Sequence, residues 1–353
     1  MSVPRGLVVA AAYSWRFLLV VAAAAVLVYG LVKLRLLVFP IIIALMLSTI
    51  VAPAAGWLAK RGLQRGLASF MVILGGLLAL VGVIVLVAPL VAGELDEVGT
   101  SLREGTDRIL RYLAEGPFEV SEQDVDRYID QAFDQIGESR GQIASGVVAG
   151  AIRLVEVIAG ILLTIVLLFF FVRDGDRINR WIESHFHDRN QRHAREIGLR
   201  AWAVLRGYVR GIVIIALFDG TAIGVTVFVI GAPLAVPLGL ITFFAAFFPI
   251  VGAIVAGVIA ALVTLVTSGV TDALIVTAVT IVVNQLEGDI LQPLVMGKSL
   301  NLHPVAILVA LTAGGILAGV PGAFLAVPVA AVAATVGNYL KSVGGAEPVS
   351  TPS

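Results

Sequence analysis

Leu67 to Val91 contains no charged residue, and it is one of several such apolar runs in a chain of 353 residues. About 20 apolar residues in a helix are enough to cross roughly 30 Å of hydrocarbon. Lipid offers no hydrogen-bond partner to a bare backbone, so runs of this kind must satisfy their polar groups internally. Phe17–Val32, Leu36–Leu58, Gly146–Val172 and Gly211–Ile230 complete the series of five. The composition excludes an ordinary soluble domain: 59% of residues are hydrophobic, 14% are charged, and the mean hydropathy is +1.01. The absence of cysteine removes disulfide frameworks, thiolate metal sites and thiol nucleophiles. Balanced charge, with 24 basic and 24 acidic residues, gives no indication of nucleic-acid binding. The expected fold class is an all-α polytopic membrane protein, with the lipid bilayer as its first partner and no cofactor.

The first run follows Arg5 and Arg16, but no small-residue cleavage site precedes Lys33 and Arg35, so a span is expected rather than a signal peptide. Arg153 and Glu156 place the start of the fourth run near an interface or against protein. Between the third and fourth runs, Gly93 to Arg140 holds 13 acidic and 5 basic residues, a net charge of about −8. Leu95, Val98, Leu102, Ile109, Leu113, Val125, Ile129, Phe133 and Ile136 keep a helical period there, which predicts an amphipathic insert needing a partner surface. Lys60, Arg61 and Arg65, and the arginines from Arg173 to Arg200, mark one side of the membrane as cytoplasmic. The insert is then outside and both termini are inside. His185, His187 and His193 lie near Asp188 in the basic stretch. Two stand two residues apart and share no helical face, so a solvated, headgroup-facing surface is expected in place of a metal site.

The C-terminal half carries the features of a mechanism. Asp219 stands in the middle of the fifth run, where a charged side chain facing lipid costs roughly 3 kcal/mol or more. It is expected to face the protein interior, as an ion-coupling carboxylate or as a protonated group bonding another helix. Gly220 and Gly224 beside it allow close helix approach. Pro233–Val266 and His303–Val336 are longer than one span needs and are interrupted, at Phe248-Pro249-Ile250-Val251-Gly252 and at Ala318-Gly319-Val320-Pro321-Gly322. Two arms of about 15 residues, roughly 22 Å each, suit a re-entrant hairpin better than a crossing. Six full spans plus two hairpins are expected over eight full spans, and paired broken segments point to a transport site. Asn284 to Pro304, NQLEGDILQPLVMGKSLNLHP, is a polar, proline-broken stretch between apolar runs, costly in lipid unless it meets water or protein.

That stretch resembles the signature of the AI-2E transporter family, the autoinducer-2 exporters and their relatives. KRGLQRGLA (60–68), FFFVRDGDRI (169–178), GAPLAVPLG with FFPIVGAIV, and LTAGGILAGVPGAFLAVPVAA are similar to further family segments, so the resemblance covers nearly the whole chain. It implies export of a small polar or signalling metabolite across a bacterial cytoplasmic membrane, no enzymatic activity, and a homo-oligomer such as a pentamer. Asp289 and Asp219 depart from the family pattern and add acidic groups, in favour of proton or sodium coupling.

The candidate substrate- or ion-binding residues are Asp219, Asn284, Gln285, Glu287, Asp289 and Gln292. Gln285, Asp289 and Gln292 recur at helical spacing, whereas Glu287 joins them only if the helix unwinds around Gly288. Phe248, Pro249, Gly252, Gly319, Pro321 and Gly322 are the expected gating hairpin tips, and Lys298 an ion-pairing partner for Glu287 or Asp289. The chain divides into a three-span region (1–92), the acidic insert (93–145), the fourth span with its basic segment (146–210), a core of two hairpins (211–341) and a disordered tail (342–353). Three functions compete: a secondary transporter with elevator-like hairpin movement, a passive channel or facilitator, and a membrane scaffold acting through its insert. No H-E-x-x-H or G-x-S-x-G motif suggests an intramembrane enzyme, and no phosphate-cradling loop suggests ATP-driven transport.

Overall fold

A computed structural model describes residues 5–114, 154–248, 251–296 and 302–344. Among the described residues the regular structure is all helix, with no strand. The helices are α1 (Arg5–Lys33), α2 (Arg35–Lys60), α3 (Arg65–Ala114), α4 (Leu154–Ser184), α5 (Asp188–Val229), α6 (Ala235–Ala245), α7 (Val251–Ser268), α8 (Val270–Leu286), α9 (Gln292–Met296) and α10 (Pro304–Gly344). A π-helical turn, Glu287–Leu291, joins α8 to α9. Eight of the described helices are long and apolar enough to cross a membrane, and the chain is an all-α, multi-pass membrane protein.

Two helices outrun their expected bounds. α3 continues as one 50-residue helix past Pro89 into the acidic segment, because the residues beyond keep a helical period. The rest of the insert, from 115 to 145, lies outside the described residues. α5 is 42 residues long, roughly 60 Å, so the basic stretch and the fifth apolar run form a single rod.

That rod is the spine of the fold. One half of it packs Tyr208, Val209, Ile212 and Ile215 against Met46 of α2 and Leu311, Leu325 and Val327 of α10. Farther along, Ile223 and Val227 pack with Leu234 and Leu238, Ala260 of α7 and Val276 of α8. Asp219 lies on the rod between the two apolar clusters. The contact between α5 and α6 is extensive, and glycine makes it possible. A Cβ at Gly239 would stand 2.8 Å from the carbonyl oxygen of Gly220 and 3.2 Å from Cα of Gly224. The connecting turn uses Gly231 (φ 75°) and Leu234 (φ 65°), a left-handed leucine held by burial of its side chain.

Both interrupted segments fold back on themselves. In the first, α6 is only 11 residues, about 17 Å, too short to cross the hydrocarbon. α7 returns against it, and the arms are unequal because α7 extends to Ser268. At the turn a Cβ on Gly252 would lie 1.7 Å from the carbonyl oxygen of Ala245, so only glycine fits there. In α10 the helix breaks at Ala318 (φ −147°, ψ 18°) and Gly319 (φ 64°, ψ −149°). The second conformation is accessible essentially to glycine alone. Pro321 follows at the start of the second arm, where its missing N–H costs no helical bond. A Cβ on Gly314 would lie 2.4 Å from the Gly322 carbonyl oxygen, whereas an unbroken helix would separate these residues by about 12 Å.

The basic segments gather where α2–α3 and α4–α5 turn. Arg65 at the start of α3 pairs with Asp176 near the end of α4 at 2.7 Å, and Arg61 stacks over Trp57. His193 Nδ1 lies 2.9 Å from the Tyr339 hydroxyl, and the Arg200 guanidinium covers the same ring, so the last arm of α10 docks on the basic half of α5. His193 thus has a protein partner, not the solvated surface expected for it. Among the described residues, no three or more His, Asp or Glu side chains group as a metal site would require. α1, α3 and α4 bury little of their apolar surface within the chain, which leaves it for lipid to cover.

Candidate functional site

The candidate site lies where α5, the first hairpin and α8 converge. Asp219 is 5% exposed, and among the described residues its Oδ1 has no hydrogen-bond partner. Such a group carries a penalty of roughly 1–3 kcal/mol, more if charged, unless something satisfies it. It lines a cavity of about 20 Å³ together with Thr242 of α6, Gly257 of α7, and Thr280 and Asn284 of α8. Thr242 and Thr280 each donate their hydroxyl hydrogen to the carbonyl four residues back, Leu238 and Val276, at 2.8 Å. A cavity this size holds about one water-sized body.

Beside the cavity the α8 helix widens. Pro293 has no N–H to donate four residues back, and Gly288 is a poor helix former, so the ladder shifts. Gln292 N–H bonds the carbonyl of Glu287, five residues earlier. This π turn redistributes the polar side chains. Gln285 Nε2 donates to Asp289 Oδ2 at 2.5 Å, while Gln292 Nε2 donates to Glu287 Oε1 at 3.1 Å. Gln285 and Asp289 therefore keep the expected shared face, whereas Gln292 leaves it for Glu287, because the extra residue in the π turn rotates the helix beyond it. Glu287 is half-buried and is an electrostatic neighbour of Asp219. Single-turn π bulges of this kind are frequent at functional sites.

The two hairpins meet near this region. Phe248 at the first turn lies 5.6 Å from Phe324 on the second arm of α10, and Phe247 6.3 Å from it. Leu291 of the π turn packs, as Phe247 and Phe324 do, on the core cluster around Tyr208. Gly252, Gly319, Pro321 and Gly322 sit at or beside the two breaks. Pro249 and Lys298 lie outside the described residues.

Of the residues singled out in the sequence, Asp219, Asn284 and Glu287 come together, and Gln285 with Asp289 forms a separate exposed pair. Thr242, Thr280 and Phe324 escaped the sequence reading. Threonine in an apolar helix reads as a neutral residue bonded to its own backbone, and only its position against Asp219 singles it out.

The sequence profile described as AI-2E family transporter matches residues 17–341. The chain is 37% identical over 321 residues to "Putative transport protein MT0215" of Mycobacterium tuberculosis, covering 91% of this chain and 88% of that one. It is 27% identical over 312 residues to the similarly named YrrI of Bacillus subtilis, with 85% of each chain covered. With YhhT of Escherichia coli K12 the identity is 23% over 315 residues, 89% and 88% of the two chains.

Proposed function

The chain belongs to the AI-2E transporter family, and from that premise we propose that it is a secondary transporter exporting a small polar or signalling metabolite, coupled to proton or sodium movement. The observation that carries this reading is the buried carboxylate of Asp219, whose Oδ1 has no hydrogen-bond partner among the described residues, beside Glu287 and two helical hairpins. Irregular backbone and acidic side chains at membrane depth are costly, and they persist where they face an ion or substrate path. In this reading the hairpins move, elevator-like, against the N-terminal helices. The aromatic contact of Phe247 and Phe248 with Phe324 parts as they do. The chain sits in the bacterial cytoplasmic membrane with both termini inside, as the basic clusters favour. The exposed apolar faces of α1, α3 and α4 serve lipid and subunit contact in a homo-oligomer such as a pentamer.

The test is electrical. Proteoliposomes on a solid-supported membrane are subjected to sodium and pH jumps, with Asp219→Asn alongside the parent. A transient current in the parent, lost in the folded variant, is the expected result. Current that does not saturate with ion concentration and survives Asp219→Asn would indicate a passive facilitator and overturn the coupled reading.

A further inference from the structure

The cavity at Asp219 is more specific than a titratable carboxylate requires. Its polar lining comes from three elements: Asp219 from α5, Thr242 from α6, and Thr280 and Asn284 from α8. Both hydroxyl hydrogens are already given to backbone carbonyls, so the two threonines present oxygen lone pairs. Asp219 adds Oδ1, which has no hydrogen-bond partner among the described residues, and Asn284 brings an amide whose carbonyl oxygen is available as a ligand. Among the described residues, no lysine, arginine or histidine lines the cavity. These oxygen-bearing side chains share the chamber with Ile223, Ala246, Ala253 and Val283, and one carboxylate with neutral oxygens is the donor set of a hard cation. Asp219 is the one carboxylate in the lining, with Glu287 beside it outside the cavity, and the volume of about 20 Å³ suits one water-sized body. An organic metabolite does not fit.

We propose that Asp219, Thr242, Thr280 and Asn284 form a binding site for a single dehydrated monovalent cation of sodium size. Each ligand coordinates through oxygen, and Gly257 closes the wall opposite Thr280. A Cβ on Gly257 would stand 3.0 Å from Thr280 Cγ2, so the wall follows the threonine closely. Because the ligands lie on α5, α6 and α8, an occupied site ties the first hairpin to both neighbouring helices. Release of the ion frees that hairpin. Asn284 carries the same information to the π turn, which begins three residues later. The proposal deepens the transporter reading above and rests on it for the ion's role in movement.

The experiment is equilibrium binding of radioactive sodium to the purified full-length protein in detergent, at constant ionic strength balanced with choline. The expected result is saturable binding of one sodium per chain, displaced by lithium more readily than by potassium. Thr242→Val and Thr280→Val keep the side-chain shape and remove one oxygen each. Variants that melt with the parent in choline are expected to bind sodium at least about tenfold more weakly, and Asp219→Asn to bind none. No saturable sodium binding by the folded parent overturns the site. So does unchanged binding in both threonine variants, which would leave the carboxylate acting alone. If Asp219→Asn does not fold, the threonine variants still decide. Metabolite flux is measured separately in proteoliposomes. Sodium binding that obeys the threonine variants supports the site even where flux proves sodium-independent, and that outcome sinks the sodium-coupled form of the transport reading alone.

Discussion

At Asp219 a single carboxylate is brought against three helices because its neighbour is glycine. The backbone of α6 can approach α5 only while Gly220, Gly224 and Gly239 lack side chains, and that approach puts Thr242 within the same cavity as Asp219. The contact distances rank the substitutions. Gly239→Ala places a methyl group 2.8 Å from a carbonyl oxygen that cannot rotate away, whereas Gly224→Ala meets its nearest atom at 3.3 Å. Overpacking of this kind costs about 1–3 kcal/mol. Gly239→Ala is therefore expected to lower the thermal unfolding midpoint in detergent clearly, and Gly224→Ala less. Equal midpoints for the two would argue that α5 and α6 are not in this register. The residue scale also shows which expectations needed geometry. Asp219 was conspicuous as a charge within an apolar run, and Asn284 and Glu287 as polar groups in a broken one. Thr242 and Thr280 carried no such mark, since a helical threonine bonded to its own backbone is chemically silent until a carboxylate stands beside it.

At the scale of elements, two hairpins and one π turn do most of the positioning. The hairpin in α10 depends on a backbone conformation at Gly319 that side chains with a Cβ adopt at a cost of about 1–3 kcal/mol. Its closed form is directly testable, because the chain has no native cysteine. A Cβ on Gly315 would lie 4.0 Å from that of Ala323, within disulfide reach. The pair Gly315→Cys with Ala323→Cys is expected to oxidise to an intramolecular disulfide, detected by its altered gel mobility, and adding Gly319→Ala should reduce the yield. A pair that never forms would mean α10 is straight, since the two positions would then be about 12 Å apart. The two breaks were visible as Phe-Pro and Gly-Val-Pro-Gly interruptions in long apolar runs. The unequal arms of the first hairpin were not, because the return helix is ended by Gly269 (φ 99°), beyond the stretch that the prolines delimit.

For the whole molecule, α5 links everything: the basic turns at one end, the α2 and α10 packing beside them, and the first hairpin farther along. The Arg65–Asp176 pair is well exposed, so breaking it with Asp176→Asn should change stability by less than about 1 kcal/mol. Its value is positional, since it shows the α2–α3 turn and the end of α4 side by side. Membrane topology follows as a prediction. Single cysteines at Leu63 and Ser342 should react with an impermeant maleimide only from the cytoplasmic side, and one at Thr271 only from outside. If Thr271→Cys were instead labelled from the cytoplasm, α6–α7 would be a full crossing and the hairpin arrangement would be wrong.

Apolar run length, the placement of proline and glycine, and the sign of the loop charges by themselves determined that this chain is a helical membrane protein, where its helices break, and which acidic residues are costly. These are local properties: lipid penalises every unpaired polar group, so hydrocarbon length and interruptions are written into consecutive residues. Which polar groups share a site was decided only by tertiary structure. Asp219, Thr242, Thr280 and Asn284 meet because α5, α6 and α8 close on one another through glycine contacts, and the π turn selects Glu287 over Asp289 as the carboxylate facing Asp219. Both depend on backbone distances between segments far apart in the chain, and no residue spacing encodes them.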